Sequence, residues 1–121
     1  MATTETFSYD NLIAGDFPIV TDSVTIGTAA DLTRGTVLGK ITSSGKYIKS
    51  LSGASDGSQT PVAILLEDAA AASADVENVP IALSGEFNDN AITLGTAHTV
   101  ASIKAGLRAL GIYLKTPVKA V

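Results

Sequence analysis

The order of apolar and polar positions predicts short strands along most of the chain. Two β-rich runs, Thr36–Ile41 and Lys46–Lys49, flank the Ser/Gly turn Ser43–Gly45, which predicts a β-hairpin. A polar loop then leads into Pro61 and the continuous apolar run Val62–Leu66. A short apolar run bounded by turn residues is typical of a buried strand.

Two further segments are predicted to be extended. Phe17–Ile26 carries several β-branched residues, although its polar triplet Thr21–Ser23 leaves a turn open as an alternative. Val79–Leu83 predicts another strand, and its Pro80 indicates a position at a sheet edge. Gly85 shortly after it predicts either a β-bulge or a close approach of the backbone.

One helix is predicted over Thr99–Leu110, with Thr96 or Thr99 as its N-terminal cap. Its apolar residues recur at spacings of three, four and three: Val100, Ile103, Leu107 and Leu110. Gly111 follows at the C-terminal cap position, and Ile112–Leu114 predicts a last short strand. The Ala-rich segment Glu67–Val76 is instead predicted to be a loop, since polar residues interrupt it.

The first 14 residues show no apolar period and are rich in Thr. They predict a flexible N-terminal arm, residues 1–14, before a single folded domain, residues 15–121. Such an arm can add as a strand to the sheet edge of a partner. Its candidate anchoring side chains are Phe7, Tyr9, Leu12 and Ile13. A frayed tail without a role is the alternative that the sequence leaves open.

The charge of the chain argues against a polyanionic partner. Its 121 residues carry a net charge of −4 and no basic run, whereas nucleic acids and anionic membranes attract clustered Lys and Arg. No apolar run approaches the ~20 residues that cross a bilayer. The N-terminus lacks the pattern of a signal peptide, so synthesis in the cytosol is expected. Few charges, 17% of residues, suit a surface that packs against other subunits.

The candidate chemistry is sparse, and no enzyme, metal site or cofactor is predicted. His98 is the only histidine and cysteine is absent, so His98 is interpreted as a capping or exposed residue rather than a catalytic base. The carboxylate pairs Glu67–Asp68 and Glu86–Asp89 are interpreted as surface charges at strand ends. An enzyme or small-ligand module would instead need a deep pocket with convergent polar groups.

Several short segments, in this order, resemble the head decoration proteins of lambda-type bacteriophages. They are the start Thr4–Phe7, the Asp56–Gly57 loop leading into Val62–Leu65, the segment Ser84–Phe87, and the helix-to-strand step Ala109–Ile112. Two departures are the absence of tryptophan and the additional region Phe17–Ile26. The order and spacing of the segments carry the resemblance rather than any single motif.

The resemblance implies a mainly β, α+β fold with one short helix, of the β-clip-like head decoration type. It implies homotrimers on the outer surface of the virion capsid, made in the host cytoplasm as late structural proteins. They would bind the major capsid protein at three-fold and quasi-three-fold positions of the expanded head, with no direct nucleic-acid or membrane contact. They would stabilise the head against internal DNA pressure, with the arm becoming ordered on the capsid. Another small virion protein, from the tail tube or head completion, is the alternative, and a β-clip domain with a cellular partner is a third.

Overall fold

The computed structural model describes residues 12–13 and 18–116 of the chain. These residues form nine strands and one helix. In chain order they are β1 Thr21–Ile26, β2 Asp31–Leu32, β3 Val37–Lys40, β4 Tyr47–Lys49, β5 Pro61–Leu65, β6 Ala69–Ala70, β7 Val76–Ala82, β8 Gly85–Asn88, α1 Val100–Ala109 and β9 Ile112–Lys115. The prediction of a mainly β domain with one short helix near its end is confirmed.

Five strands close into a barrel in the order β1-β4-β3-β5-β7. Its pairings are antiparallel except for the contact of β1 with β4, where Ile26 lies opposite Tyr47 in parallel. The predicted hairpin is the β3–β4 pair, with Gly39 opposite Ile48. Two small sheets complete the fold: β2 pairs with β6 antiparallel, and β8 pairs with β9 in parallel.

The apolar residues form two clusters. The first fills the barrel and includes Ile26, Leu38, Leu65 and Ile81. The second joins the barrel to α1 and to the β8–β9 sheet; its members are Leu12, Val37, Ile64, Ala82, Phe87, Ile103, Leu107, Ile112 and Leu114. Burying each Leu, Ile or Phe side chain contributes about 1.5–3 kcal/mol. The second cluster therefore holds the helix and the small sheet against the barrel.

Pro80 does not lie on an edge strand, contrary to the prediction. Strand β7 pairs with β1 on one side and with β5 on the other. The Leu66 N–H donates to the Pro80 carbonyl (3.1 Å), but Pro80 has no N–H with which to return the bond. The Leu66 carbonyl instead accepts a hydrogen bond from Arg34 Nη1 at 2.7 Å. A side chain from elsewhere in the fold thus satisfies the acceptor that the proline leaves open.

Two other local predictions needed correction. The polar triplet Thr21–Ser23 is regular strand rather than a turn, because it pairs residue by residue with Pro80–Ala82. The segment Glu67–Val76 is mostly loop as predicted, but it contains β6, which pairs with β2. The close approach predicted at Gly85 is confirmed: its φ is +141°, and a Cβ there would lie 3.0 Å from the Ile19 side chain.

Helix α1 begins as the sequence predicted. Thr99 is the N-cap, and its side chain accepts from the Ser102 N–H while Ser102 Oγ accepts from the Thr99 N–H. This reciprocal capping box satisfies two backbone donors at the helix start. Ile103 and Leu107 are buried, whereas Leu110 at the end of the stripe is 49% exposed. The chain then turns directly into β9, which lies against the helix.

Candidate functional site

The four predicted anchoring residues fall into three different situations. Phe7 and Tyr9 lie outside the described residues. Leu12 is only 1% exposed and belongs to the second apolar cluster. Ile13, its neighbour, is 38% exposed. Leu12 thus packs inside the domain in this fold, and its role as an anchor to another surface stays a prediction that would require it to leave the core.

Leu12 and Ile13 attach to strand β8. Ile13 forms an isolated antiparallel bridge with Phe87, and the Asn88 N–H donates to the Leu12 carbonyl at 2.7 Å. The backbone therefore adds two residues to the β8 edge that β9 does not occupy. Backbone hydrogen bonds to an open sheet edge are the usual way in which an extended segment joins a sheet.

The other end of the described chain lies beside the same residues. The Asp89 N–H donates to the Lys115 carbonyl (2.9 Å), and Thr116 Oγ1 donates to Asp89 Oδ2 (2.5 Å). We call the group formed by Leu12, Ile13, Asn88, Asp89 and Thr116 the chain-end corner. Leu12 and Thr116 are the first and the last residues that the structure describes.

The chain-end corner contains an unsatisfied polar atom. Asp89 Oδ1 is buried and has no hydrogen-bond partner among the described residues, although Oδ2 of the same carboxylate accepts from Thr116. Leaving a buried acceptor without a donor costs about 1–3 kcal/mol. Within the described part of the chain, the chain-end corner therefore lacks a hydrogen-bond donor for this oxygen.

The segment that enters β1 also crosses the surface near the start of β8. The Val20 N–H donates to Ser84 Oγ (3.1 Å), and Ser84 Oγ donates to the Pro18 carbonyl (3.0 Å). Ile19 and Val20 are 39% and 55% exposed. With Ile13 they are three of the large apolar side chains that the described chain leaves partly exposed. Isolated exposed apolar residues are common on protein surfaces, so they do not by themselves indicate a binding site. The two hydrogen bonds of Ser84 show more directly how this segment is held against β8.

A cleft of about 520 Å³ lies between α1 and the outer face of the β8–β9 sheet. Alternate residues of a strand point to opposite faces, so Phe87 and Ile112 face the core while Glu86 and Tyr113 face outward. We call this cleft the basic cleft; its lining residues are Glu86, Lys104, Arg108, Tyr113, Leu114, Lys115 and Thr116. Sequence reasoning missed it, although the spacing of Lys104 and Arg108 on one helix face was a usable signal.

The closing point of the barrel, by contrast, is satisfied within the chain. Asp75 Oδ1 accepts from the N–H (2.8 Å) and the Oγ1 hydroxyl (2.7 Å) of Thr28, and Oδ2 pairs with Lys46 Nζ at 2.5 Å. The Lys46 ammonium and the two Thr28 donors lower the pKa of Asp75 from 3.8 to about 2. We call Ile26, Thr28, Lys46, Tyr47 and Asp75 the barrel seam.

His98 is neither the helix cap nor an exposed residue, the two positions that the sequence predicted for it. It precedes the true cap, Thr99, and is half-buried, with Nε2 3.1 Å from Oγ of the fully buried Ser50. A hydroxyl can donate to or accept from the imidazole, so this contact ties the loop before α1 to the exit of β4. Among residues 12–13 and 18–116, no group of three or more His, Cys, Asp or Glu is placed to hold a metal ion. No helix within these residues is long and apolar enough to cross a membrane.

Comparison with known protein families relates the chain to a phage protein. The family model described as bacteriophage lambda head decoration protein D matches residues 1–113 of the 121. The match covers the N-terminal segment, the barrel, α1 and the first half of β9. No curated protein matches the chain significantly.

Proposed function

The chain belongs to the family of the bacteriophage lambda head decoration protein D, and we propose that it cements the capsid of a phage. In this proposal homotrimers bind the outer surface of the expanded icosahedral head at three-fold and quasi-three-fold positions. They bridge neighbouring major capsid subunits and resist the pressure of the packaged DNA. The protein is synthesised in the host cytoplasm and resides on the virion. The family match over most of the chain is the observation that carries this proposal.

A structural role agrees with the chemistry of the described surface. Several charged side chains there make ion-pair and backbone contacts, such as Arg34 with Leu66 and Lys115 with Glu86. A cementing protein needs rigid elements and exposed contact surface rather than a reactive group. The closed barrel supplies the rigid part, since its strands leave few open edges.

The N-terminal segment is proposed to bind the capsid. Ordering an extended arm costs about 1–2 kcal/mol per residue in backbone entropy, so a single arm binds weakly. Three arms on one trimer would make the binding multivalent and raise avidity about 10²–10⁴-fold without new contacts. A weak individual contact is compatible with tight attachment of the whole trimer.

The placement of Leu12 refines which residues reach the capsid. Since Leu12 is packed in the core and its carbonyl is bonded to Asn88, it serves as the fixed base of the arm. The contact with the capsid then falls to Phe7, Tyr9 and the partly exposed Ile13. The predicted boundary after residue 14 accordingly moves toward residue 11 in this proposal.

The test is a truncation that spares the core. Removing residues 2–11 keeps Leu12 in place, whereas removing 2–14 would also delete a buried core residue and confuse binding with folding. We expect the 2–11 deletion to keep the wild-type thermal unfolding midpoint and to lose at least about tenfold in affinity for expanded, undecorated capsids, as loss of multivalent contacts requires. The double substitution F7A/Y9A in the full-length chain is the matched variant and should lose part of that affinity.

Three outcomes would contradict the proposal in different ways. Equal capsid affinity of the truncated and full chains would remove the arm from the binding mechanism. Failure of the full chain to bind capsids would remove the decoration function itself. Immunogold labelling of virions on the tail or the neck instead of the head faces would favour a tail-tube or head-completion protein.

A further inference from the structure

We propose that the basic cleft docks an acidic segment of the major capsid protein. This inference rests on the proposed function and adds a second contact beside the arm. It concerns the folded domain rather than the N-terminal segment. The proposed ligand is a short stretch of polypeptide that presents Asp or Glu side chains to Lys104 and Arg108.

The charge of the basic cleft opposes that of the whole chain. The protein has a net charge of −4, yet the cleft is lined by three cations and one carboxylate. Lys115 Nζ lies 3.3 Å from Glu86 Oε1, so these two charges neutralise each other. Lys104 and Arg108 have no carboxylate within ion-pair distance among the described residues. Two cations are thus left for an external anion.

The arrangement of these two cations is unfavourable for the isolated helix. Lys104 and Arg108 are four residues apart on α1, and like charges at that spacing destabilise a helix slightly. Arg108 lies in the last turn, where the helix dipole favours a cation. Lys104 lies in the middle of the helix, beyond the reach of that effect. The dipole therefore accounts for Arg108 but not for the pair.

The shape of the cleft suits a peptide segment. Its volume of about 520 Å³ falls within the range of ordinary ligand pockets, about 300–1,000 Å³. The Tyr113 side chain and the Lys and Arg stems provide apolar surface beneath the charges. The Arg guanidinium can bind a carboxylate through two parallel hydrogen bonds. A short acidic strand would therefore find both packing surface and directional donors.

The location of the cleft connects it to the arm. Thr116 lines the cleft and also donates to Asp89 at the chain-end corner, which contains Leu12, the proposed base of the arm. An arm that binds the capsid close to this corner would bring the basic cleft near the same capsid surface. A long polyanion such as DNA would also meet the net negative charge of the rest of the protein. A short acidic segment meets chiefly the local positive charge, which favours a capsid polypeptide as the partner.

The test is the charge reversal K104E/R108E, with K40E/K49E on strands β3 and β4 as the control. Both double variants change the net charge by the same amount, so nonspecific repulsion from the capsid is matched. We expect K104E/R108E to weaken binding to expanded capsids by about tenfold or more, and K40E/K49E by less than about threefold. The neutral variant K104Q/R108Q should lie between wild type and K104E/R108E. Raising NaCl from about 50 to about 500 mM should weaken wild type more than K104E/R108E.

The outcomes separate this inference from the proposed function. If wild type fails to bind capsids, the decoration function fails and the cleft proposal fails with it. If wild type binds and K104E/R108E binds equally well, only the cleft proposal is overturned. A change of oligomeric mass in solution on charge reversal would make the cleft a contact between copies and overturn the proposal. Binding of wild type to a DNA duplex, lost in K104E/R108E, would also overturn it. Helical circular dichroism and the thermal midpoint should stay close to wild type in all variants.

Discussion

The barrel seam and the chain-end corner are both places where distant parts of the chain are joined, but they are completed differently. At the barrel seam, a single parallel pairing of Ile26 with Tyr47 is supported by Asp75, which bonds to Thr28 and Lys46. At the chain-end corner, Asp89 keeps a buried oxygen without a donor among the described residues, and the adjacent basic cleft keeps two cations without carboxylates there.

We relate this difference to the proposed capsid contacts. Buried polar groups in native proteins are nearly always bonded, so an unsatisfied one calls for an explanation. The barrel seam needs nothing further. The chain-end corner, with both ends of the described chain beside it, is the place where the proposed capsid contacts would supply the missing groups.

The largest effect is expected where the chain-end corner meets the core. Leu12→Ala should lower the free energy of unfolding by about 2–5 kcal/mol, because it removes a fully buried side chain from the second apolar cluster. Ile26→Ala at the barrel seam should cost a similar amount. Ile13→Ala, at a partly exposed position, is the control and should cost less than about 1 kcal/mol. Urea unfolding measures all three changes in stability. A negligible loss of stability in Leu12→Ala would show that the chain-end corner does not pack against the folded domain.

A pair of glycines should respond with opposite signs. A Cβ added at Gly106 on α1 would have nothing within 4 Å, so Gly106→Ala should stabilise the protein by about 1 kcal/mol through helix propensity. Gly45, in the turn that leads into β4, also has space, with Lys40 at 3.9 Å. Its φ of +75° nevertheless makes Gly45→Ala destabilising by about 1–2 kcal/mol. Thermal unfolding of both variants checks the prediction, and the same sign for both would contradict it.

The smallest effect is expected from the carboxylate at the barrel seam, and it should depend on pH. The pKa of Asp75 in the folded protein, about 2, lies below its ordinary value of 3.8. Its ionised form therefore contributes stability above about pH 4, and that contribution is lost as the pH falls toward 2. Asp75→Asn should be less stable than wild type at pH 6, and the difference should shrink by pH 2. Urea midpoints at several pH values measure this difference; a gap that stays constant with pH would rule out the ion pair as its source. The pair is partly exposed, so salt should reduce the gap.

Local patterns in the sequence were sufficient for several elements. The Ser/Gly turn between two β-rich runs identified the β3–β4 hairpin, and the apolar run after Pro61 identified β5. The Thr99 cap, the apolar stripe and Gly111 identified α1 and the start of β9. These predictions succeeded because each depends on interactions between residues only a few positions apart.

Two features that the sequence did not reveal depend on neighbours far along the chain. Judged from its neighbours in sequence, Pro80 predicts an edge strand. In the fold, Arg34 donates the hydrogen bond that Pro80 cannot, and β7 lies between two strands. Leu12 belongs to a segment without an apolar period, and only Phe87 and its cluster decide that Leu12 is buried. A local sequence pattern does not indicate that Arg34 lies near Pro80 or that Phe87 lies near Leu12.

Residue order was enough to specify a small, acidic, mainly β domain with one capped helix, and the succession of its short segments already indicated the family. Packing in three dimensions was needed to close the barrel through β1 and β4 and to bring both described ends together at Asn88 and Asp89. It also placed Lys104 and Arg108 on the same cleft as Lys115. The reason is physical. Periodicity and capping depend on nearby residues, so they indicate where an element begins and which of its sides is apolar. Which element packs against which depends on contacts between segments that lie dozens of residues apart, as Thr28 and Asp75 do.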